Sequence, residues 1–292
     1  MDYEGIVYRP PSEARSLIIQ VTIGCAHNTC GFCNMYKEKK FRIRSLAEIL
    51  ADLTEVSHNP YAPYIEKVFL ADGDALVMKT EDLLVILDAI HRLYPGVKRV
   101  ASYGTAQDIL RKSEEELIRL REAGLGIVYV GAESGDNEIL KYINKGVTAE
   151  QTIEAGQKLK RCGIATSVTL ISGLGGRSKV EEHALSCAKL ITAMNPESAS
   201  FLTLRLYEGT PMYADVVEGR FQRITPDEIV DEMEIFLKNV DSPGTVFRTN
   251  HASNYVILAG TLNGDIPAML KKLEEAKRTH HYRKFRETGD LL

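Results

Sequence analysis

Three cysteines, Cys25, Cys30 and Cys33, fall within GCAHNTCGFCNMYK at positions 24–37. The remaining two of the chain's five cysteines, Cys162 and Cys187, are far away in sequence. A C-x4-C-x2-C spacing on a glycine-flanked loop lets three thiolates grip one inorganic centre, one short of the four that close a structural zinc or iron–sulfur site. Three readings are open at this level. The sulfurs can hold an iron–sulfur cube whose fourth iron has no protein ligand. They can bind zinc, with His27 as fourth ligand. They can also be reduced thiols packed in a loop. Zinc sites usually pair two separated halves, and His27 sits awkwardly between two ligands. Buried structural thiols rarely cluster in a polar turn. The cube is therefore the first expectation, without removing the others.

Polar residues that could complete such a site recur at one kind of position. Short β-rich runs are expected at 17–24, 67–73, 98–104, 126–134, 165–173 and 198–206, each followed by an amphipathic helical pattern. Capping boxes Ser45/Glu48, Ser113/Glu116, Thr148/Gln151 and Ser178/Glu181 open several of these helices, and Thr225-Pro226-Asp227-Glu228 opens another. The series predicts an α/β fold, a partial (β/α)6 TIM-type barrel of parallel strands with right-handed crossovers. The expected organisation is an N-terminal segment at 1–14, a core at 15–215, and a helical extension at 216–292. Ligands bind at the C-terminal ends of strands in such folds. Cys25, Asp72-Gly73-Asp74, Ser102 and Tyr103, Glu133 and Ser134, 172–176 and Arg205 all fall at or just beyond those ends.

Composition narrows the class. The chain has 292 residues, 44% hydrophobic and 26% charged, which suits one enzyme-sized core without disulfides. A net charge of -4 argues against a nucleic-acid partner, whose phosphates demand a concentrated basic face. The basic run at 271–286 reads first as a solvated helix face. No apolar stretch approaches the ~20 residues of a membrane span, and the N-terminus lacks a signal-peptide pattern. The expectation is a cytoplasmic protein with no membrane partner, in which clustered thiols serve metal binding or catalysis.

CAHNTCGFC after the first strand, LADGDAL after the second and VGAESGDNEILKYINKG after the fourth resemble the radical S-adenosylmethionine (SAM) superfamily. The likeness is to the branch with anaerobic coproporphyrinogen oxidase, the elongator-type proteins and the methylthiotransferases. It covers roughly residues 15–215. The resemblance implies that Cys25, Cys30 and Cys33 bind a 4Fe–4S cluster whose open iron is chelated by SAM. Reductive cleavage then gives a 5′-deoxyadenosyl radical under anaerobic conditions. The electron would come from an external donor such as flavodoxin or ferredoxin. Four residues, AHNT, fill the first cysteine gap where the family usually has three. That leaves the loop's path, and the parts played by His27 and Asn28, to be read from the structure.

The same resemblance implies roles for single residues. Phe32 matches the aromatic whose backbone lies against the adenine. Asp72-Gly73-Asp74 resembles the motif that receives the methionine amino group, where glycine permits close approach and a carboxylate suits an ammonium. Glu133 matches the ribose-binding residue. Lys145 falls where relatives place an arginine near the SAM carboxylate. Ser102 and Tyr103 occupy a rim where relatives carry an acidic ribose ligand that this chain lacks.

For the substrate, the segment at 246–265 is dense in Arg248, Asn250, His251, Ser253 and Asn254 between apolar flanks. It is expected either to face the substrate or to tie down a C-terminal element. Arg177 and Arg205 are further candidates to meet an anionic substrate. The primary expectation is an enzyme acting on a small molecule. Modification of tRNA or a protein, and a non-catalytic zinc or iron–sulfur protein, are the alternatives. A cobalamin-dependent reaction and a second cysteine-ligated cluster are not expected.

Overall fold

The computed structural model of the chain describes residues 1–283, so the last three residues of the basic 271–286 run lie outside it. In chain order the strands and helices are β1 (Leu17–Gln20), β2 (Thr22–Ile23), β3 (Arg42–Ile43), α1 (Leu46–Ser57), β4 (Lys67–Ala71), α2 (Thr80–Leu93), β5 (Arg99–Tyr103), α3 (Ala106–Arg111), α4 (Glu114–Glu122) and β6 (Leu125–Glu133). They continue as α5 (Asn137–Tyr142), α6 (Ala149–Arg161), β7 (Ala165–Ser172), α7 (Val180–Met194), β8 (Ser198–Thr203), α8 (Pro211–Val217), α9 (Pro226–Asn239), β9 (Val246–Arg248), β10 (Ala259–Thr261) and α10 (Ile266–Thr279). All six expected strands form, in an α/β fold with a mostly parallel sheet. The first is split. Val21 donates to the Ala71 carbonyl, and β2 then turns away to pair antiparallel with β3. No helix among the described residues is long and apolar enough to cross a membrane.

Two compact units form. The first comprises residues 1–28, 34–130 and 155–166, and the second 29–33, 131–154 and 167 onward. In the first, β1, β4, β5 and β6 are parallel neighbours. Ile18, Phe69, Ala71, Ala101 and Tyr129 fill one face of these strands, and the Phe69 ring meets Tyr103 edge-on at 5.0 Å. The segment before β1 belongs to this core. Glu13 is fully buried and accepts hydrogen bonds from Arg99, Tyr129 and Ser16, closing the N-terminal end of the strands.

In the second unit β7 and β8 are parallel, and β9 joins β8 in parallel. β10 closes the edge antiparallel to β9. These last two strands fall within the 246–265 segment of an extension otherwise expected to be helical. Three-residue strands are too short for a period of two to show in sequence. Ala132, Val168, Leu170, Ala199, Phe201 and Phe247 pack on one face with Phe236 of α9, whose ring lies 4.9 Å from that of Phe201. That face is apolar at every second position, so the alternate positions point away from the helices.

Capping follows the sequence at four of five sites. The boxes at Ser45/Glu48, Ser113/Glu116 and Thr225/Glu228 close reciprocally, and Thr148 and Gln151 exchange the same pair of bonds. The box expected at Ser178/Glu181 does not form. Gly176 takes a left-handed φ of 62°, and the Arg177 N–H bonds to the Gln222 carbonyl. The next residues make a short 3-10 turn over Arg177–Lys179, so α7 begins beyond Ser178 without a side-chain cap.

Candidate cofactor and substrate site

The first unit brings Cys25 and the Asp72–Asp74 turn together. Gly24, at φ 77°, reverses the chain after β2, and its carbonyl accepts from the Gly73 N–H at 3.0 Å. Gly73 lies directly against Cys25. A Cβ there would stand 2.8 Å from the Cys25 Cβ, 3.0 Å from its Cα and 3.1 Å from the Gly24 carbonyl oxygen. The glycine is thus required by close approach, and it seats the first cysteine of the motif. Cys25 itself is half-buried with a free thiol.

Asp72 is fully buried. One carboxylate oxygen, Oδ2, accepts from Lys39 Nζ at 2.7 Å, from the Gly24 N–H at 3.0 Å and from Gln20 Nε2 at 3.2 Å. The other, Oδ1, is buried with no partner. Ser102 Oγ, at the same end of β5, is likewise buried and unpartnered. Buried polar atoms are normally satisfied, so these two are free to take a hydrogen bond from a ligand or a water. They fit the amino group and the hydroxyls of a molecule such as SAM. Lys39 was not singled out in the sequence, where it is one residue of a lysine pair without pattern. It completes the site by neutralising Asp72 and lies 5.5 Å from the Tyr36 ring centroid.

Asp74 takes a different part from the one the motif implies. Its Oδ1 caps the Leu76 N–H at 3.1 Å, and no donor reaches the buried Oδ2. Burial, and then the neighbouring Asp108, push its carboxyl well above the usual carboxylate range. Burial also pushes Asp108 upward. Hydrogen bonds from Asp74 and Thr105, and the nearby Arg111, more than reverse that and leave it low. The pair therefore shares a proton held on Asp74, which donates to Asp108.

The second unit holds the other two cysteines. The Gly31 N–H bonds to the Ile143 carbonyl at 2.8 Å, the Gly31 carbonyl accepts from the Met212 N–H at 3.0 Å, and Asn144 Nδ2 donates to the Thr29 carbonyl. These bonds fix residues 29–33 and leave Cys30 and Cys33 half-buried and outside any disulfide. Phe32 packs on the second unit's apolar core. Glu133 ends β6 at a left-handed φ of 66° and forms an ion pair with Lys145 at 2.9 Å. Gly131 makes room for it: a Cβ there would lie 2.2 Å from Glu133 Oε1. Among the described residues, no three His, Cys, Asp or Glu side chains group so as to hold a single metal ion. In a 4Fe–4S cluster each thiolate binds its own iron, so the donor set of three cysteines suits the cluster.

The substrate candidates are placed as follows. Arg177 is exposed and paired with Glu228 at 2.9 Å. The Arg205 guanidinium lies 5.8 Å from the Tyr207 ring centroid. His251 Nδ1 bonds to Ser253 Oγ at 2.8 Å. Asn254 is buried, accepting from Thr203 Oγ1 at 2.9 Å and donating to the Phe201 carbonyl at 2.7 Å. Ser253 Oγ accepts from the Thr203 N–H. Ser253 and Asn254 thus tie the segment to the end of β8, around a cavity of about 20 Å³, room for roughly one water. Arg248 bonds through one nitrogen to the carbonyls of Phe247 at 2.8 Å and Gly260 at 3.1 Å. A network unseen in sequence lies behind β7. Buried Glu232 accepts from Ser172 Oγ and from the Gly173 N–H at 3.0 Å, and contacts His183 Nδ1 at 2.7 Å. Burial pulls the His183 imidazole down. Cys187 and Glu232 beside it outweigh that and hold it well above its usual value.

Comparison with known proteins places the chain in a family. Residues 19–188 match the family model described as Radical SAM superfamily. An uncharacterized methyltransferase of Pyrococcus horikoshii is 24% identical over 202 residues, 67% of this chain and 41% of that protein. The heme chaperone HemW of Bacillus subtilis is 22% identical over 75% of this chain and 58% of its own length. The chain thus spans about two fifths to three fifths of these relatives. The fold resembles that of the methyltransferase TsrM from Kitasatospora setae, with a TM-score of 0.57 and 22% identity over 71% of this chain and 40% of that one. It also resembles coproporphyrinogen III oxidase from Escherichia coli, with a TM-score of 0.55 and 17% identity over 77% of this chain and 54% of that one. With more than half of its length matched, the chain belongs to the radical SAM superfamily, a superfamily of enzymes that use a 4Fe–4S cluster and SAM.

Proposed function

We propose that this chain holds a 4Fe–4S cluster through Cys25, Cys30 and Cys33 and cleaves SAM reductively to act on a small-molecule substrate. The observation that carries the reading is the seat of Cys25 on Gly73, one residue from a buried Asp72 oxygen that has no partner. When bound, the cluster and SAM supply one-electron cleavage of a carbon–sulfur bond, giving methionine and a 5′-deoxyadenosyl radical. The chain's own residues bind and orient. Asp72 Oδ1 accepts from the amino group of SAM, while Lys39 keeps the other oxygen neutralised. Ser102 Oγ meets a polar group of the ligand. Glu133 turns to the ribose hydroxyls and Lys145 to the SAM carboxylate, two charges that otherwise satisfy each other. Phe69 and Tyr103 keep the neighbouring strand face dry. Reduced flavodoxin or ferredoxin delivers the electron. The net charge of -4 supports a small molecule over tRNA.

The test is anaerobic reconstitution with iron and sulfide, followed by dithionite and SAM. The expected result is a brown protein that releases 5′-deoxyadenosine, with Cys→Ala at 25, 30 or 33 abolishing both colour and product. Uptake of zinc alone, or no 5′-deoxyadenosine from a fully loaded protein, overturns the proposal. Salt-sensitive tRNA binding would transfer the substrate assignment to nucleic acid.

A further inference from the structure

The second unit's strands present two unlike faces. Ala132, Val168, Leu170, Ala199, Phe201 and Phe247 face the helices. The alternate positions therefore share the opposite face: Gly131 and Glu133 on β6, Ser167 and Thr169 on β7, Ser198 and Ser200 on β8, and Arg248 on β9. The interior of a filled barrel is dominated by Val, Ile and Leu. Here four of the corresponding positions of β7 and β8, Ser167, Thr169, Ser198 and Ser200, are small hydroxyl residues and only partly buried, with Ala165, Ile171 and Leu202 at the others. Glu133, proposed above for the ribose, stands on this same face.

Register aligns three of these residues. Thr169 pairs with Ser200, and Ser200 with Arg248, so one hydroxyl, a second hydroxyl and a guanidinium lie side by side across β7, β8 and β9. At about 4.8 Å between strands the row spans about 10 Å, the length of a small metabolite. It lies three residues short of the ends of β7 and β8, about 10 Å below the rim where Glu133 sits. The hydroxyls are loosely engaged. Thr169 Oγ1 and Ser200 Oγ are 3.5 Å apart, and Ser200 Oγ reaches the Val168 carbonyl at 3.5 Å, long for hydroxyl bonds. Arg248 is exposed. Its bonds go through one nitrogen to two backbone carbonyls, and among the described residues no carboxylate pairs with it. A guanidinium carries five N–H donors in a fork that matches a carboxylate or phosphate.

We infer that this row is the substrate floor and that the substrate is a small hydroxyl-bearing molecule with one anionic group, a carboxylate or a phosphate, which Arg248 takes while Thr169 and Ser200 bond its polar body. The inference rests on the small-molecule reading above and names its substrate class.

Anion binding needs neither cluster nor SAM, so the test uses the full chain without them. Inorganic phosphate and acetate are titrated separately at constant ionic strength, with chloride as the balancing salt, and followed by calorimetry and thermal unfolding. The expected result is saturable binding of at least one anion to the wild type, whichever binds identifying the group. Arg248→Gln should weaken it tenfold to a hundredfold, as removal of a charge-assisted bond does. Thr169→Val with Ser200→Ala should weaken it twofold to tenfold. Arg119→Gln, on an exposed helix and paired with Glu81, should leave it unchanged. No saturable binding of either anion, or Arg248→Gln binding like wild type, overturns the inference. If Arg248→Gln unfolds, the hydroxyl double variant decides by the same criterion. Failure of SAM cleavage leaves this titration untouched, so the two proposals fail separately.

Discussion

Gly73 packs against Cys25 and Gly31 follows Cys30 in the chain, yet the structure assigns the two glycines opposite sensitivities to the same substitution. Alanine at Gly73 puts its methyl carbon 2.8 Å from the Cys25 Cβ and 3.0 Å from its Cα. Carbon atoms pack at about 3.5–4.0 Å, so Cys25 must recede by about 0.7–1.2 Å. The obstruction is backbone and Cβ, which cannot rotate away, and the Gly73–Gly24 hydrogen bond stiffens the turn. Overpacking of this kind costs about 1–3 kcal/mol, roughly 5- to 150-fold in an equilibrium constant. At Gly31 a Cβ would meet the Ile143 carbonyl oxygen at 3.7 Å and Pro211 Cβ at 3.8 Å, which are ordinary contacts. Gly31→Ala should therefore stay within about 0.5 kcal/mol of wild type. Two assays are needed: urea unfolding of the cluster-free chain, and iron and sulfide content with visible absorbance after anaerobic reconstitution. The expectation is a lower urea midpoint and reduced cluster loading for Gly73→Ala, and neither for Gly31→Ala. Wild-type behaviour of Gly73→Ala in both assays, or equal damage by both variants, would refute the assignment of Gly73 as the seat of Cys25.

Lys39→Met strands the Asp72 carboxylate in the interior and should cost about 3–5 kcal/mol in urea unfolding, at the lower end because Gly24 and Gln20 still donate to it. The double variant with Asp72→Asn should recover most of that loss, and no recovery would remove charge as the cause. For Asp74 the sign is set by a folded pKa above the unfolded one. Its contribution is complete below about pH 3.9 and is lost as pH rises through the folded value. Asp108, lowered, contributes above its unfolded pKa and loses that as pH falls. Asp74→Asn should thus keep near-wild-type stability in acid and flatten the decline of the urea midpoint toward alkaline pH; an unchanged slope counts against the shared proton. Ser45→Ala should cost about 1 kcal/mol. It should also return Glu48, lowered to about 2 by the Ser45 N–H and then its hydroxyl, toward the ordinary range in an NMR titration.

The sequence carried the alternation of strands and helices because each buried strand is a short β-rich run bounded by turn residues. Four capping boxes were legible for the same reason, since both halves of the signal sit within four residues. Ser178/Glu181 has the same letters and fails, because the turn at Gly176 and the bond to Gln222 are tertiary facts. β9 and β10 were invisible because a three-residue strand has no period, and the pairing of Phe247 with Ala199 holds β9 in place. In the site, the cysteines were legible by type and spacing, and the turn residues by their place after a strand. Lys39, 33 residues from the carboxylate it neutralises, was not. Neither was Glu232, which reaches Ser172 from 60 residues away.

The DGD string shows why residue type alone misassigns charge. Two aspartates flanking one glycine look alike in sequence, each a carboxylate suited to an ammonium. Their surroundings separate them. Asp74 faces another carboxyl and keeps a proton. Asp72 faces an ammonium already supplied by Lys39. The turn therefore offers an incoming amino group little uncompensated charge. What it offers is one fixed, buried acceptor without a donor, Asp72 Oδ1. Recognition there is by position more than by field. Asp72→Asn should accordingly preserve binding of a ligand amino group where the amide oxygen takes the Oδ1 place, and Asp72→Ala should lose it. Equal loss in the two variants would mean that the carboxylate's charge, not its placed oxygen, is what the ligand reads.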